Sequence, residues 1–157
     1  LRQWEMSNPQ AFFMNRSMAI TRARDKLRST QLLARAGVAI PKTVFSRNET
    51  DIDVLLDEIG GTPAIIKLAR GTHGNGVVLA ETIKAAKSVM QAFYLSDSYG
   101  TNVLLQEFIK GSADTDIRAF VVGSRVVASM KRQILYDDFR SNLHKGGLGE
   151  IVKLTPD

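Results

Sequence analysis

A lysine followed by a glycine-rich turn is the feature of this chain whose residue types could do chemistry. Lys67 lies near the end of an apolar run, and Gly71, Gly74 and Gly76 precede a second apolar run. Glycine accepts a positive φ and lets backbone N–H groups approach an anion, so the pattern suits a nucleotide phosphate tail. The GxxGxG spacing continues into a strand, which excludes both the dinucleotide-binding GxGxxG pattern and the P-loop. Because most glycine-rich hairpins are only turns, the turn alone leaves both interpretations open.

Further candidates for a nucleotide site lie at the ends of other predicted elements. Lys26 and Lys67 have few local carboxylate partners, and together they could hold the oxygens of a triphosphate; the alternative is two ordinary surface lysines. Glu107 directly follows the strand 103–106. At this point backbone amides could pair with an adenine edge, and Phe108 could form an apolar wall. The alternative for Glu107 is an exposed carboxylate at the end of a strand.

Charged residues also open and line a predicted β-hairpin. Asp116 could accept hydrogen bonds from ribose hydroxyls or simply cap a turn. Arg118, Lys131 and Arg132 alternate with apolar residues, which predicts that they lie on the face opposite the core. There they would be either solvated or part of the lining of a cleft.

The segment 139–147 concentrates polar groups that suit charge stabilisation on phosphoryl and carboxylate oxygens, among them Arg140 and Asn142. The two histidines, His73 and His144, are far apart in sequence and each lies in a polar loop. No third ligand is spaced for zinc, so no metal site is predicted from them.

The elements that must position these groups predict an α+β fold. The order is β-α-β-β-α-β over residues 38–109, and the strands are antiparallel because a turn as short as 71–76 can only join antiparallel neighbours. The first predicted elements are a helix over 21–36 capped by Gly37, a strand at 43–45, and a helix that runs from a Thr50–Asp53 capping box to Gly60. A strand–loop–strand unit over 64–80 follows, then a helix over 82–94 with Ala85, Val89, Ala92 and Phe93 buried, and a strand at 103–109. The last predicted elements are a hairpin of 117–122 and 125–131, a loop over 139–149 and a strand at 151–154.

Bulk composition narrows the class of protein. The 157 residues are 44% hydrophobic and lack cysteine, which fits one globular domain or two small subdomains and makes a reducing cytoplasm the expected location. No apolar run approaches the roughly 18 residues of a membrane span. The net charge of +5 favours acidic ligands, whereas the scattered basic residues and 7% aromatic content argue against a nucleic-acid platform.

Taken together, seven segments resemble the ATP-grasp ligases, and more narrowly the RimK branch of α-L-glutamate ligases that modify the C-terminus of a ribosomal protein. The segments are 24–29, 66–68, 71–82, 106–110, 116–118, 139–147 and 154–156. The resemblance implies that ATP phosphorylates a carboxylate and that an amine then attacks the acyl phosphate to form an amide. It implies nucleotide contacts by Lys26, Lys67, Gly71, Gly74, Gly76, Glu107, Phe108, Asp116, Arg140, Ser141 and Asn142. Arg140 is the expected catalytic residue, since an arginine stabilises charge on a transferring phosphoryl group.

The resemblance also implies a domain organisation and partners. Residues 1–37 would be a connecting segment and helix, 38–110 the ATP-grasp lid subdomain with its glycine-rich loop, and 111–157 the first part of a truncated C-terminal subdomain. The expected ligands are ATP or ADP, Mg²⁺, glutamate and an acidic acceptor, and a homo-oligomer is left open. The family's N-terminal domain and its magnesium ligands, an Asp and a Glu-x-Asn, would lie outside this chain, so the fragment alone is expected to bind nucleotide weakly at best and not to catalyse.

Three alternatives remain open from the sequence. The chain could be a nucleotide-binding module that never catalyses, or a ligase that acts on a small-molecule cofactor or a carrier protein. A basic RNA- or ribosome-associating domain would instead show an affinity that falls steeply with salt.

Overall fold

The computed structural model describes residues 1–48, 51–69, 75–95, 102–110, 115–133 and 148–155. These residues form two compact units, Leu1–Phe108 and Ile109–Asp157. The mixed helix and antiparallel-sheet architecture predicted from the sequence is confirmed. No helix in the described ranges combines the length and apolar character needed to cross a membrane.

The first unit is built on a four-stranded sheet whose strand order is β1-β4-β2-β3. Every pair of neighbouring strands is antiparallel. Its elements are α1 (Arg2–Ser7), α2 (Ser17–Arg24), α3 (Lys26–Arg35), β1 (Thr43–Ser46), α4 (Ile52–Glu58), β2 (Ala64–Leu68), β3 (Val77–Ala80), α5 (Ile83–Leu95) and β4 (Val103–Glu107). The predicted β-α-β-β-α-β order is therefore present from β1 to β4.

One face of this sheet packs against α4 and α5 to form the hydrophobic core. Alternate strand residues point to the same face, so Ala64 and Ile66 of β2 lie beside Val103 and Leu105 of β4. The buried cluster consists of Leu56, Ile59, Ala64, Ile66, Ala80, Ala86, Met90, Val103 and Leu105. The other face of the sheet carries the remaining strand residues, among them Lys67.

The single helix predicted over residues 21–36 is wrong, because the structure breaks it into α2 and α3 at Asp25. Asp25 has an extended backbone (φ −93°, ψ 106°), and its Oδ1 accepts a hydrogen bond of 3.0 Å from the backbone N–H of Arg28. This is a typical helix N-cap, which satisfies a donor that the new first turn would leave unpaired. At the other end Gly37 has φ +72°, as expected for the residue that terminates a helix.

Two details of the later helices differ from the prediction. The buried face of α5 is centred on Ala86 and Met90, and Ala92, predicted to be buried, is exposed. The helix is therefore rotated slightly relative to the predicted face, although Val89 still packs against the core. The N-cap of α4 is Asp51 without a side-chain cap hydrogen bond, and Thr50 lies outside the described residues.

The second unit is a three-stranded antiparallel sheet in the order β5-β6-β7. Strands β5 (Thr115–Val122) and β6 (Arg125–Gln133) form the predicted hairpin, with Gly123 at φ +61° in the turn. Strand β7 spans Leu148–Ile151 rather than the predicted residues 151–154. Its sequence includes Gly149 and Glu150, which have low strand propensity, so the pairing with β6 and not local preference places this strand.

Candidate functional site

Lys67 lies on β2 and points away from the hydrophobic core. Its neighbours Ile66 and Leu68 pack into the core, so the alternation of the strand places the Lys67 side chain on the opposite face. The half-buried ammonium donates a hydrogen bond of 2.5 Å to Oε1 of Gln106 on β4. Because Lys67 pairs with Leu104 and not with Gln106, the two side chains meet diagonally across the strands.

Gln106 connects Lys67 to the edge strand β1. Its Nε2 donates a hydrogen bond of 2.9 Å to Oγ1 of Thr43, the residue directly opposite it. The Thr43 hydroxyl in turn donates to the carbonyl oxygen of Pro41 at 2.8 Å. Neither Gln106 nor Thr43 was predicted as a site residue from the sequence. A polar residue in an otherwise apolar strand was the available signal, but the partner could be found only from the strand register.

Lys26 is the first residue of α3, and it is docked on the end of β2. Its backbone N–H donates to the carbonyl of Ala69 at 3.3 Å, and its Nζ donates to the carbonyl of Leu68 at 3.0 Å. The break at Asp25 makes this docking possible, since it starts a new helix beside the strand end. The structure therefore brings Lys26 close to Lys67, although the two are 41 positions apart in the sequence.

Burial disfavours the charged form of both lysines of this pair. Burial lowers the pKa of Lys67 below its ordinary value of 10.5, and the positive charge of Lys26 lowers it further. Burial also lowers the pKa of Lys26, an effect that the carboxylate of Asp25 partly opposes. A negatively charged ligand placed beside both ammonium groups would offset these costs, which is what a phosphate group would supply.

Gly76 ends the glycine-rich turn, and its role in the described structure is local. Its φ is +67°, and a Cβ at this position would lie 2.6 Å from Cδ1 of Leu68. Its carbonyl accepts a hydrogen bond of 2.8 Å from the backbone N–H of Leu68, which closes the β2–β3 hairpin. Glycine is therefore required here by backbone conformation and close packing. Gly71 and Gly74 lie outside the described residues.

Glu107 at the end of β4 is engaged with the main chain of the segment that enters β1. Its Oε1 accepts a hydrogen bond of 2.7 Å from the backbone N–H of Lys42, and its own N–H donates to the Lys42 carbonyl at 3.0 Å. These bonds extend the β1–β4 pairing by one residue. Phe108 follows directly and is half-buried. Contacts of Glu107 and Phe108 with adenine stay a prediction.

Asp116 forms an ion pair with Arg132 across the β5–β6 hairpin of the second unit. Arg132 Nε donates to Oδ1 at 2.7 Å, and its Nη2 donates to Oδ2. The hydrogen bonds that Arg132 donates to Asp116 raise the pKa of Arg132, against the opposing effect of burial. The prediction that Arg118, Lys131 and Arg132 share one face, either solvated or lining a cleft, is wrong, because Asp116 pairs with Arg132 whereas Ile117 pairs with Lys131. Consecutive residues of a strand point to opposite faces, and only 8% of Arg132 is exposed.

The remaining residues of the predicted site lie outside the described part of the chain. They are Gly71, Gly74, Arg140, Ser141 and Asn142, together with His73 and His144. Within the described ranges, no group of three or more His, Cys, Asp or Glu residues could hold a metal ion. The structure thus brings together Lys26 and Lys67 of the predicted set, with Gly76 in the adjoining hairpin.

A match over residues 23–157 relates this chain to RimK-like ATP-grasp domains. The chain belongs to the RimK-like ATP-grasp family. It is 54% identical over 157 residues to a probable alpha-L-glutamate ligase of Aliivibrio salmonicida, and 55% identical over 156 residues to one of Thioalkalivibrio sulfidiphilus. These matches cover 100% and 99% of the chain and 50% of each relative. The RimK-like chain therefore spans about half the length of the curated relatives that it matches.

Solved structures show the same fold at low sequence identity. The D-alanine–D-alanine ligase from Bacillus anthracis, complexed with ATP, has a TM-score of 0.62 at 18% identity and matches 84% of this chain and 40% of its own. The ATP-grasp ligase PsnB, complexed with a phosphomimetic variant of its minimal precursor, Mg and ADP, has a TM-score of 0.63 at 15% identity. That match covers 96% of this chain and 43% of PsnB. These structural matches show that the RimK-like chain has the ATP-grasp fold.

Proposed function

We propose that this chain is the nucleotide-binding part of an ATP-dependent carboxylate–amine ligase that adds glutamate to an acidic acceptor, such as the C-terminus of a ribosomal protein. The observation that carries the proposal is the pair formed by Lys26 and Lys67, two partly buried cations at the end of β2. The names of the relatives support glutamate as the substrate, and the complexes with ATP and with Mg and ADP support the nucleotide. ATP and such an acceptor would meet in the cytoplasm.

The proposed reaction has two steps. The γ-phosphoryl group of ATP is transferred to a carboxylate oxygen, which gives an acyl phosphate and ADP. The amine nitrogen then attacks the acyl carbon, inorganic phosphate leaves, and an amide remains. In this scheme Lys26 and Lys67 hold phosphate oxygens by charge-assisted hydrogen bonds. Arg140, with Ser141 and Asn142, is proposed to act at the phosphoryl end, where an arginine would stabilise the charge that develops during transfer.

Mg²⁺ is included in this scheme because the resemblance to the family implies it. Its ligands are expected outside these 157 residues, and the described part of the chain contains no carboxylate cluster that would hold the ion. The residues described here do not make up a magnesium site, so no step is assigned to a metal bound by them.

The proposal is tested in the full-length gene product by calorimetric titration with ADP and by mass-spectrometric detection of glutamate addition to an acceptor peptide. Lys67→Ala and Arg140→Ala should each abolish amide formation and leave the fold intact, whereas the exposed control Lys84→Ala should behave like the wild type. Binding of ADP without any amide product, with glutamate and peptide or small-molecule acceptors, would favour a non-catalytic nucleotide-binding module. Absence of ADP binding would overturn the proposal.

A further inference from the structure

A hydrogen-bond chain runs across three strands from the Lys67 ammonium to the edge of the sheet. Lys67 on β2 donates to Gln106 on β4, Gln106 donates to Thr43 on β1, and Thr43 donates to the Pro41 carbonyl, with lengths of 2.5, 2.9 and 2.8 Å. The three side chains are half-buried, so solvent competes only partly for their polar atoms.

The chemistry of the groups fixes the direction of every bond in this chain. An ammonium has three donors and no acceptor, so it must face the oxygen of the Gln106 amide and not its nitrogen. The amide NH₂ then points to Thr43, whose oxygen accepts and whose single hydrogen is left for a further acceptor. The Pro41 carbonyl is that acceptor. One end of the chain is a main-chain atom, and the other end is the cation proposed to hold phosphate.

We propose that Gln106 and Thr43 are positioning residues, which hold the Lys67 ammonium at the place where it meets a nucleotide phosphate. The inference rests on the proposed function of Lys67 but concerns two residues to which no role in that function has been given. Gln106 occupies one of the three ammonium hydrogens and leaves two for phosphate oxygens. Thr43 does not meet the nucleotide; it acts by fixing the orientation of the Gln106 amide.

The hydroxyl of Thr43 provides the sharpest test. In the full-length protein, Thr43→Val removes the group that orients Gln106 and keeps the size of the side chain. We expect the KM for ATP to rise about 2- to 10-fold, which corresponds to the loss of one neutral hydrogen bond. The KM for glutamate and the kcat should stay unchanged. Thr43→Ser, which keeps the hydroxyl, should restore the wild-type KM for ATP.

A merely structural role of Thr43 would give a different result. If Thr43→Val only destabilised the fold, the fraction of active enzyme and hence the apparent kcat would fall, and both KM values would stay unchanged. Thr21→Val is a matched control, because the Thr21 hydroxyl also donates to a main-chain carbonyl, that of Ser17 at 2.9 Å, on an exposed helix. This control should leave both KM values unchanged. An unchanged KM for ATP in Thr43→Val would overturn the inference.

Gln106 is tested by two variants with opposite effects on the pKa of Lys67. Gln106→Met removes the acceptor, so the pKa of Lys67 should fall, and the KM for ATP should rise by about 10-fold or more. Gln106→Glu adds a carboxylate that raises the pKa of Lys67 and competes with phosphate, so the KM for ATP should again rise. The pKa is measured from the pH titration of the ¹³Cε resonance of Lys67.

The NMR titration separates failure of this inference from failure of the proposed function, because it needs no nucleotide. Thr43→Val should lower the pKa of Lys67, because it removes the group that holds the Gln106 amide oxygen toward the ammonium. If the wild-type protein binds no ADP but Thr43→Val lowers this pKa and Thr43→Ser does not, the proposed function fails and the positioning chain stands. If the wild-type protein binds ADP and neither the KM for ATP nor the pKa of Lys67 responds to Thr43→Val, the positioning chain is refuted and the proposed function stands.

Discussion

The substitution Lys67→Met removes the ammonium of the proposed phosphate site and keeps an unbranched side chain of similar length. One ammonium hydrogen is used by Gln106, so two remain for phosphate oxygens. A hydrogen bond between charged groups contributes about 1.5–3 kcal/mol. At about 1.4 kcal/mol per tenfold, the loss of one such bond predicts a 10- to 150-fold weaker affinity for ADP, and loss of both a larger decrease.

The assay is calorimetric titration of the full-length protein with ADP in the presence of Mg²⁺. Lys84→Met is the matched control, because Lys84 is exposed on α5, away from the lysine pair. The control should bind ADP with the wild-type affinity. If Lys67→Met bound ADP as tightly as the wild type, Lys67 would not hold a phosphate, and the role assigned to it would be refuted.

The same substitution makes a prediction about pH. The pKa of Lys67 in the folded chain is lowered from 10.5, so the ammonium loses its proton at a lower pH than an ordinary lysine. Above about pH 8, where phosphate groups are already fully ionised, ADP affinity should fall as the pH rises through this lowered pKa. Lys67→Met should lack this fall.

The free energy of unfolding should change with pH in the opposite direction to the affinity for ADP. Between the folded and unfolded pKa values of Lys67, the unfolded chain binds more protons than the folded chain, so this lysine makes the free energy of unfolding rise with pH. The rise should be complete above the unfolded value. Chemical denaturation of wild type and Lys67→Met across this range measures the contribution as the difference between the two slopes.

Two further predictions concern stability. Gly76→Ala should lower the free energy of unfolding by at least about 1–2 kcal/mol, because it combines a positive φ with a clash on Leu68. Gly123→Ala is the control, because Gly123 has a similar φ but no atom within 4 Å of the new Cβ, and it should lower the free energy of unfolding by less in the same denaturant titration. Asp116→Ala should cost about 1–3 kcal/mol, since it leaves the guanidinium of Arg132 mostly buried without its carboxylate, and Asp116→Ala combined with Arg132→Met should recover part of that loss. Equal costs for the two glycine variants, or no recovery in the double variant, would contradict these explanations.

The order of elements in the first unit could be predicted because each is encoded locally. The polar, glycine-rich stretch between two apolar runs indicated the β2–β3 hairpin, and the run ending at Glu107 indicated β4. The break at Asp25 could not be predicted in this way, since helix-forming residues continue on both sides of it. The break starts α3 beside the end of β2, where the ammonium of Lys26 donates to the carbonyl of Leu68, 42 positions further along the chain.

The candidate site, like the fold, could be predicted from the sequence only in part. The sequence singled out Lys26 and Lys67 by residue type, but their proximity depends on the docking of α3 at the end of β2. The bond between Lys67 and Gln106, which are 39 positions apart, depends on the register of β2 and β4. Arg132 was misplaced for a different reason, because it directly follows Lys131 and consecutive residues of a strand point to opposite faces.

The most direct test of the central claim is an experimental structure of the full-length protein with ADP and Mg²⁺ bound. We predict that the ammonium groups of both Lys26 and Lys67 lie within about 3 Å of phosphate oxygens, with Gln106 still accepting from Lys67. A nucleotide whose phosphates lie away from both lysines would contradict the claim that this pair forms the phosphate site.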